Sequence, residues 1–171
     1  ETGHTETVML FTPEQLGLAA GTKITSLSFK GYNTSTSTSR NSDIKIYYEF
    51  TNETTLTKPE SYGAFDPAGL NLALDEKNHV WVKQGTKEVP VNLIEAIFSE
   101  PVVYEAGKSL KLVVLSYSAG SSSPWPNPGY FEVTSSADNC WTRSNDNPNV
   151  DDLTTPPALT ASWSTGTLPV L

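Results

Sequence analysis

The strongest hydrophobic pattern in the chain is the decapeptide SLKLVVLSYS at 109–118. In an extended chain, Leu110, Leu112 and Val114 fall on one side and Lys111, Val113, Leu115 and Tyr117 on the other, so both faces are largely apolar. This is the signature of a strand buried inside a sheet. The segment is short and rich in β-branched residues, and Ala106-Gly107-Lys108 and Ala119-Gly120 supply turns at its two ends. Three further segments alternate in the same way. Residues 5–11 set Val8 and Leu10 against Met9 and Phe11. Thr25, Leu27 and Phe29 alternate with Ser26, Ser28 and Lys30. In 43–50, Ile44, Ile46, Tyr48 and Phe50 point inward, while Asp43, Lys45, Tyr47 and Glu49 point outward, with Tyr47 expected to pack across an exposed sheet face.

Between these strands the polar positions mark turns. Thr12-Pro13-Glu14-Gln15 predicts a single helical turn with Thr12 as its cap, Pro13 at its first position and Gly17 closing it. Residues 33–42 form a Ser/Thr tract without an apolar side chain, hence a solvated loop. Residues 51–77 read as a long connection that Tyr62 and Phe65 pin to the body of the fold. Two short strands are predicted at 79–83 and 88–93 around a Gln84-Gly85-Thr86 hairpin turn, with Pro90 at an edge or bulge because it lacks a ladder donor. Further strands are predicted at 102–104, 130–134, 138–143, 159–163 and 168–171. About ten short strands with regular turn signals and no amphipathic helix define an all-β chain, an antiparallel β-sandwich of jelly-roll type. An immunoglobulin fold fits less well, since the chain is long for it and lacks its Cys and Trp spacing.

Composition narrows the setting. A net charge of -8 over 171 residues, with only 11 basic side chains, argues against nucleic acid as a partner. No run of about 18 apolar residues is present, so direct membrane insertion is not expected. The single cysteine, Cys140, allows no internal disulfide and is expected to be a buried thiol. Abundant Ser, Thr, Asn, Gly and Pro suit a secreted or cell-surface β-protein, and the lack of disulfides leans towards a bacterial one. Residues 1–3 read as a vector remnant, and 4–171 as a single β-sandwich domain excised from a longer protein. Asn33 and Asn52 fit the glycosylation sequon, which recurs by chance in chains this rich in Asn, Ser and Thr.

Gln15-Leu16-Gly17, GTKITSLSF at 21–29, DIKIY at 43–47 and VYEAGKSL at 103–110 occur in an order that resembles the secreted β-sandwich modules of Bacteroidetes surface, glycan-processing and adhesin proteins. The resemblance covers about two thirds of the chain and is weakest over 121–157. It implies a noncatalytic extracellular module beside other domains of a parent protein, binding a glycan or a host surface protein. It carries over no ligand residue by position.

The chemistry-bearing residues concentrate after residue 118. The stretch SSSPWPNPG at 121–129 holds three prolines and a tryptophan, a stiff loop that cannot place Trp125 within a strand. Sugar rings stack their C–H faces on aromatic rings while their hydroxyls seek directional polar partners. Both kinds occur together here: Trp125, Tyr130, Trp141 and Arg143 accompany Asn127 and Asp138. Trp125 and Tyr130 are expected to stack, with Arg143, Asp138 and Asn127 hydrogen bonding. Trp141, beside Cys140, fits either this site or the core. Trp81 and Trp163 fall in strand patterns and are expected to pack. Exposed aromatics also mark protein interfaces, so a protein-binding adhesin or a structural spacer is the alternative. Asp146, Asp151 and Asp152 offer oxygens of the kind a calcium ion takes, at a spacing unlike an EF-hand; no other cofactor is implied. No catalytic motif occurs, and His79 reads as a structural or surface imidazole, so the chain is not expected to be an enzyme.

Overall fold

The structure is a computed structural model that describes residues 3–32, 40–57, 65–81, 85–118, 130–131, 133–135, 139–145, 161–164 and 167–169. Within them the chain forms strands β1 (Gly3–Phe11), β2 (Lys23–Tyr32), β3 (Arg40–Thr51), β4 (Asn71–Trp81), β5 (Val91–Val103), β6 (Ser109–Ser118), β7 (Tyr130–Phe131), β8 (Val133–Ser135), β9 (Cys140–Asn145), β10 (Ala161–Ser164) and β11 (Thr167–Pro169), with one short helix, α1 (Pro13–Leu16). One sheet runs β10-β9-β1-β6-β3-β4, a second β5-β2-β7, and β11 pairs with β8. Every pairing among these strands is antiparallel. The fold is an antiparallel β-sandwich. A jelly-roll connectivity is not established by these strands.

The predicted central strand is β6, hydrogen bonded to β1 on one side and β3 on the other. Its two apolar faces serve two cores. Leu112, fully buried, and Leu110 join Met9, Phe11, Ile44 and Ile46 against Leu27, Phe29, Ile94 and Ala96 of the other sheet. Val113 and Leu115 face the other way, with Val8, Tyr117 and Trp141, and are covered by Leu56, Phe65 and Leu70. Each fully buried aliphatic or aromatic side chain contributes about 1.5–3 kcal/mol, so neither face is marginal.

The second core changes one expectation. The face of β3 that carries Asp43, Lys45, Tyr47 and Glu49 is not simply solvated: Tyr47 packs on Phe65 with ring centroids 5.1 Å apart, and the charges on either side are paired. Lys111 Nζ lies 2.8 Å from Glu49 Oε1, and Lys45 Nζ 3.2 Å from Asp75 Oδ2. Phe65 thus pins its connection as expected. Tyr62 lies outside the described residues, as does most of the 33–42 tract.

The turn after β1 forms as its residues predict. The Gln15 N–H donates to Thr12 Oγ1 at 3.4 Å, the Thr12 N–H donates to Gln15 Oε1 at 2.8 Å, and Gly17 closes the turn in the left-handed region at φ 62°.

The predicted hairpin of 79–83 with 88–93 does not form: β4 pairs with β3 in the first sheet and β5 with β2 in the second. Strand boundaries differ most at the two sheet edges. β4 begins at Asn71, inside the predicted connection, because pairing with β3 holds a segment whose own alternation is weak. β5 extends through Val103 and includes Pro101, which an edge strand tolerates. The predicted strand at 130–134 is divided: β7 joins the three-stranded sheet and β8 pairs with β11. A register shift between Ile24 and Ser26 leaves Thr25 exposed and brings Ile24 against the inter-sheet core.

Candidate functional site

The register of the strands decides which segments share an end of the sandwich. At one end, the Tyr104 N–H donates to the Thr22 carbonyl at 2.8 Å, the Tyr104 carbonyl accepts from the Gly21 N–H at 3.0 Å, and the Tyr104 ring meets Phe50, near the C-terminal end of β3, at 5.6 Å. The starts of β2 and β6 and the ends of β1, β3 and β5 therefore gather there. The opposite end holds the remaining termini. Gly3 pairs with Ser118, His4 with Asn145, Arg40 with Trp81, and Tyr32 with Tyr130. Positions 33–39, 82–84, 119–129 and 146–160 lie outside the described residues, and the described residues on both flanks of each belong to this second end.

The expected site residues divide accordingly. Trp125 and Asn127 lie outside the described residues, between Ser118 and Tyr130. Asp146, Asp151 and Asp152 also lie outside them, between Asn145 and Ala161. Tyr130 opens β7, opposite Tyr32. Arg143, near the C-terminal end of β9, stands opposite Glu6 on β1 and Ser162 on β10. Asp138 is outside the described residues. Its neighbour Asn139 accepts a hydrogen bond from the Leu10 N–H at 2.9 Å, at the first end of the sandwich. At roughly 3.3 Å per strand residue, about 20 Å of β9 separates Asn139 from Asn145.

Trp141 is resolved in favour of the core. It is 9% exposed, packs with Val8, Val113, Leu115 and Tyr117, and pairs in register with Val8. Ligand stacking needs an accessible ring face, which burial removes. Cys140 beside it is a buried free thiol, as expected. Trp81 and Trp163 fall on β4 and β10.

Tyr32 stands just beyond the alternation predicted for 25–30. The alternation that sends Leu27 and Phe29 into the core sends Ser28, Lys30 and Tyr32 to the outward face of the three-stranded sheet, and Tyr32 remains half-buried there. The signal was present in its off-beat position after Phe29, but the partner that gives it meaning, Tyr130, lies about a hundred residues away in sequence.

Electrostatics near this end are set by pairs. His79 Nδ1 lies 3.1 Å from Glu76 Oε1, consistent with a structural imidazole. The Asn78 N–H donates to Asp43 Oδ1 at 2.9 Å, from a left-handed backbone at φ 57° that asparagine tolerates. Glu6 is only 3% exposed, and Arg143 is its cross-strand neighbour on β9. Among the described residues, no group of three or more His, Cys, Asp or Glu side chains could hold a metal ion, and no helix is long and apolar enough to cross a membrane. The Glu14 carboxyl, near the other end, is held below its ordinary pKa by the backbone N–H at the start of α1 and by Thr12.

No family model, curated protein or solved structure matches the chain.

Proposed function

We propose that the chain is a noncatalytic extracellular carbohydrate-binding module of a bacterial surface protein, of the kind found in Bacteroidetes, working beside other domains of its parent. The observation that supports this reading most is the convergence at one end of the sandwich. The flanks of the Trp125 segment, the tyrosine pair Tyr32 and Tyr130, and the Arg143 end of β9 lie there together. An aromatic surface bordered by amide, hydroxyl and charged groups suits a sugar, whose ring is apolar on its faces and polar on its rim. In this reading Trp125 and Tyr130 stack, and Asn127 and Arg143 hydrogen bond. Asp138, outside the described residues, keeps its expected hydrogen-bonding role in this reading.

Screening the purified chain on a glycan array tests the reading. Binding by the unmodified chain, abolished by Trp125→Ala with stability kept within about 1 kcal/mol, is the expected result, since a loop-borne aromatic adds little to a core. A folded chain that retains no glycan contradicts it. A second reading, a protein-binding adhesin, draws on the exposed apolar side chains of Leu72, Val89, Ile97 and Val103. It gains if the array is blank while the chain still adheres to host surface proteins.

A further inference from the structure

We propose that edge strand β5 carries a docking surface separate from the sugar site and independent of it: the exposed apolar stripe Ile97, Pro101 and Val103, which takes an aliphatic, basic segment of a partner protein. The burial pattern of the strand places the stripe. Ala96 is buried and Phe98 packs against the inter-sheet core, so Ile97 between them faces outward and is 70% exposed. Val102 stands opposite Ile24, which packs on that core, and Tyr104 is buried, so Val103 between them also faces outward, 54% exposed. Their register partners, Ser26 and Lys23, are three residues apart on β2, which sets the two aliphatic side chains roughly 10 Å apart on one face.

The chain between them holds this arrangement. β5 leaves the β2 ladder after Ile97 and rejoins it at Val102, and in this excursion Phe98 is anchored against the Tyr48 ring at 5.0 Å while Pro101 stands exposed. Pro101 has no N–H to offer an added strand and the broken ladder bends the edge, so a partner is met through side chains and not by extending the sheet. Among the described side chains, the other exposed positions of β5 are Asn92, Glu95, Ser99 and Glu100, all polar. Ile97 and Val103 therefore depart from the face they stand on. Strand propensity alone does not require them, since threonine satisfies it without exposing a fully apolar side chain.

Charge selects the occupant. The exposed acids Glu95, Glu100 and Glu105 flank the stripe and outnumber the exposed Lys23 that stands opposite Val103, and the whole chain carries a net charge of -8. A second copy of the chain would bring the same acidic rim against this one. A basic partner is instead attracted on approach and neutralises the rim on contact. An apolar centre inside a charged rim matches the anatomy of a protein interface.

Matched sets of short immobilised peptides test the assignment: leucine and valine interspersed with lysine, the same peptides with glutamate in place of lysine, and the same with serine in place of the aliphatic residues. The unmodified chain is expected to bind the aliphatic, lysine-bearing set alone. Joint Ile97→Ser and Val103→Ser replacement is expected to weaken that binding about tenfold or more, and joint Glu95→Lys and Glu100→Lys replacement to shift it to the glutamate set. All four positions are exposed, and thermal melts confirm that the variants are folded. No binding to the aliphatic, lysine-bearing set, equal binding to the serine set, or binding that either variant leaves unchanged overturns the surface. Concentration-dependent self-association in sedimentation that Ile97→Ser abolishes overturns the choice of partner in favour of a second copy. The glycan array is read separately, so each of these failures leaves the carbohydrate reading standing.

Discussion

Thr12 and Gln15 close the chain over Pro13 and Glu14 through two reciprocal hydrogen bonds that span three residues. Everything needed to form the turn lies within it, which is why it could be read directly from the residues. Thr12→Ala is expected to lower stability by about 1 kcal/mol in urea denaturation. The backbone N–H of Glu14, and after it the Thr12 side chain, hold the Glu14 carboxyl below its ordinary pKa. The sign follows from linkage: a depressed carboxyl contributes stability that is present above its unfolded-state pKa and is lost as pH falls through the lower folded-state value. Glu14→Gln is therefore expected to differ from the unmodified chain near neutral pH and to converge with it in acid. The side chain is fully exposed, so the difference is small. Trp141 shows the opposite case. Its residue type and its neighbour Cys140 suited both a site and a core, and only the distant Val8, Val113 and Leu115 decide between them.

Among the strands, β6 was legible because both of its faces are apolar, and such a strand has few places to go but the middle of a sheet. β4 and β5 were partly hidden. Both are edge strands whose polar and proline-bearing sequences weaken the alternation, and ladder pairing with β3 and β2 fixes their extent. The covering of the sheet's second face is half legible in the residues: the apolar Phe65 within a long polar connection marks an anchor, whereas Tyr47 between charged neighbours reads as an exposed position. Phe65→Ala is expected to cost about 2 kcal/mol through the lost ring contact with Tyr47 and the opened second core. A change within about 0.5 kcal/mol in chemical denaturation would mean that this face stands solvated after all. On the inter-sheet side, Leu112→Ala is expected to cost about 3 kcal/mol, because Leu112 is fully buried and its neighbours come from both sheets.

Taken as a whole, the molecule sorts its connections by end. One end is closed by the α1 turn and the backbone hydrogen bonds of Tyr104 with Gly21 and Thr22, while the other gathers the flanks of the proline-rich and acidic segments. Asn139 and Asn145 are close in sequence, yet a strand of β9's length carries the chain from one end to the other. Tyr32 and Tyr130, far apart in sequence, become neighbours through the β2–β7 register. Residue types were therefore readable as candidates for sugar recognition, but their grouping required the topology. A two-dimensional NMR titration with a glycan that the chain binds on the array tests this most directly. The account expects the largest shifts at the backbone amides of Tyr32, Ser118, Tyr130 and Asn145, at the end where the flanks of the Trp125 segment lie. Shifts confined to Ala19, Gly21, Glu105 and Lys108, at the closed end, would contradict it.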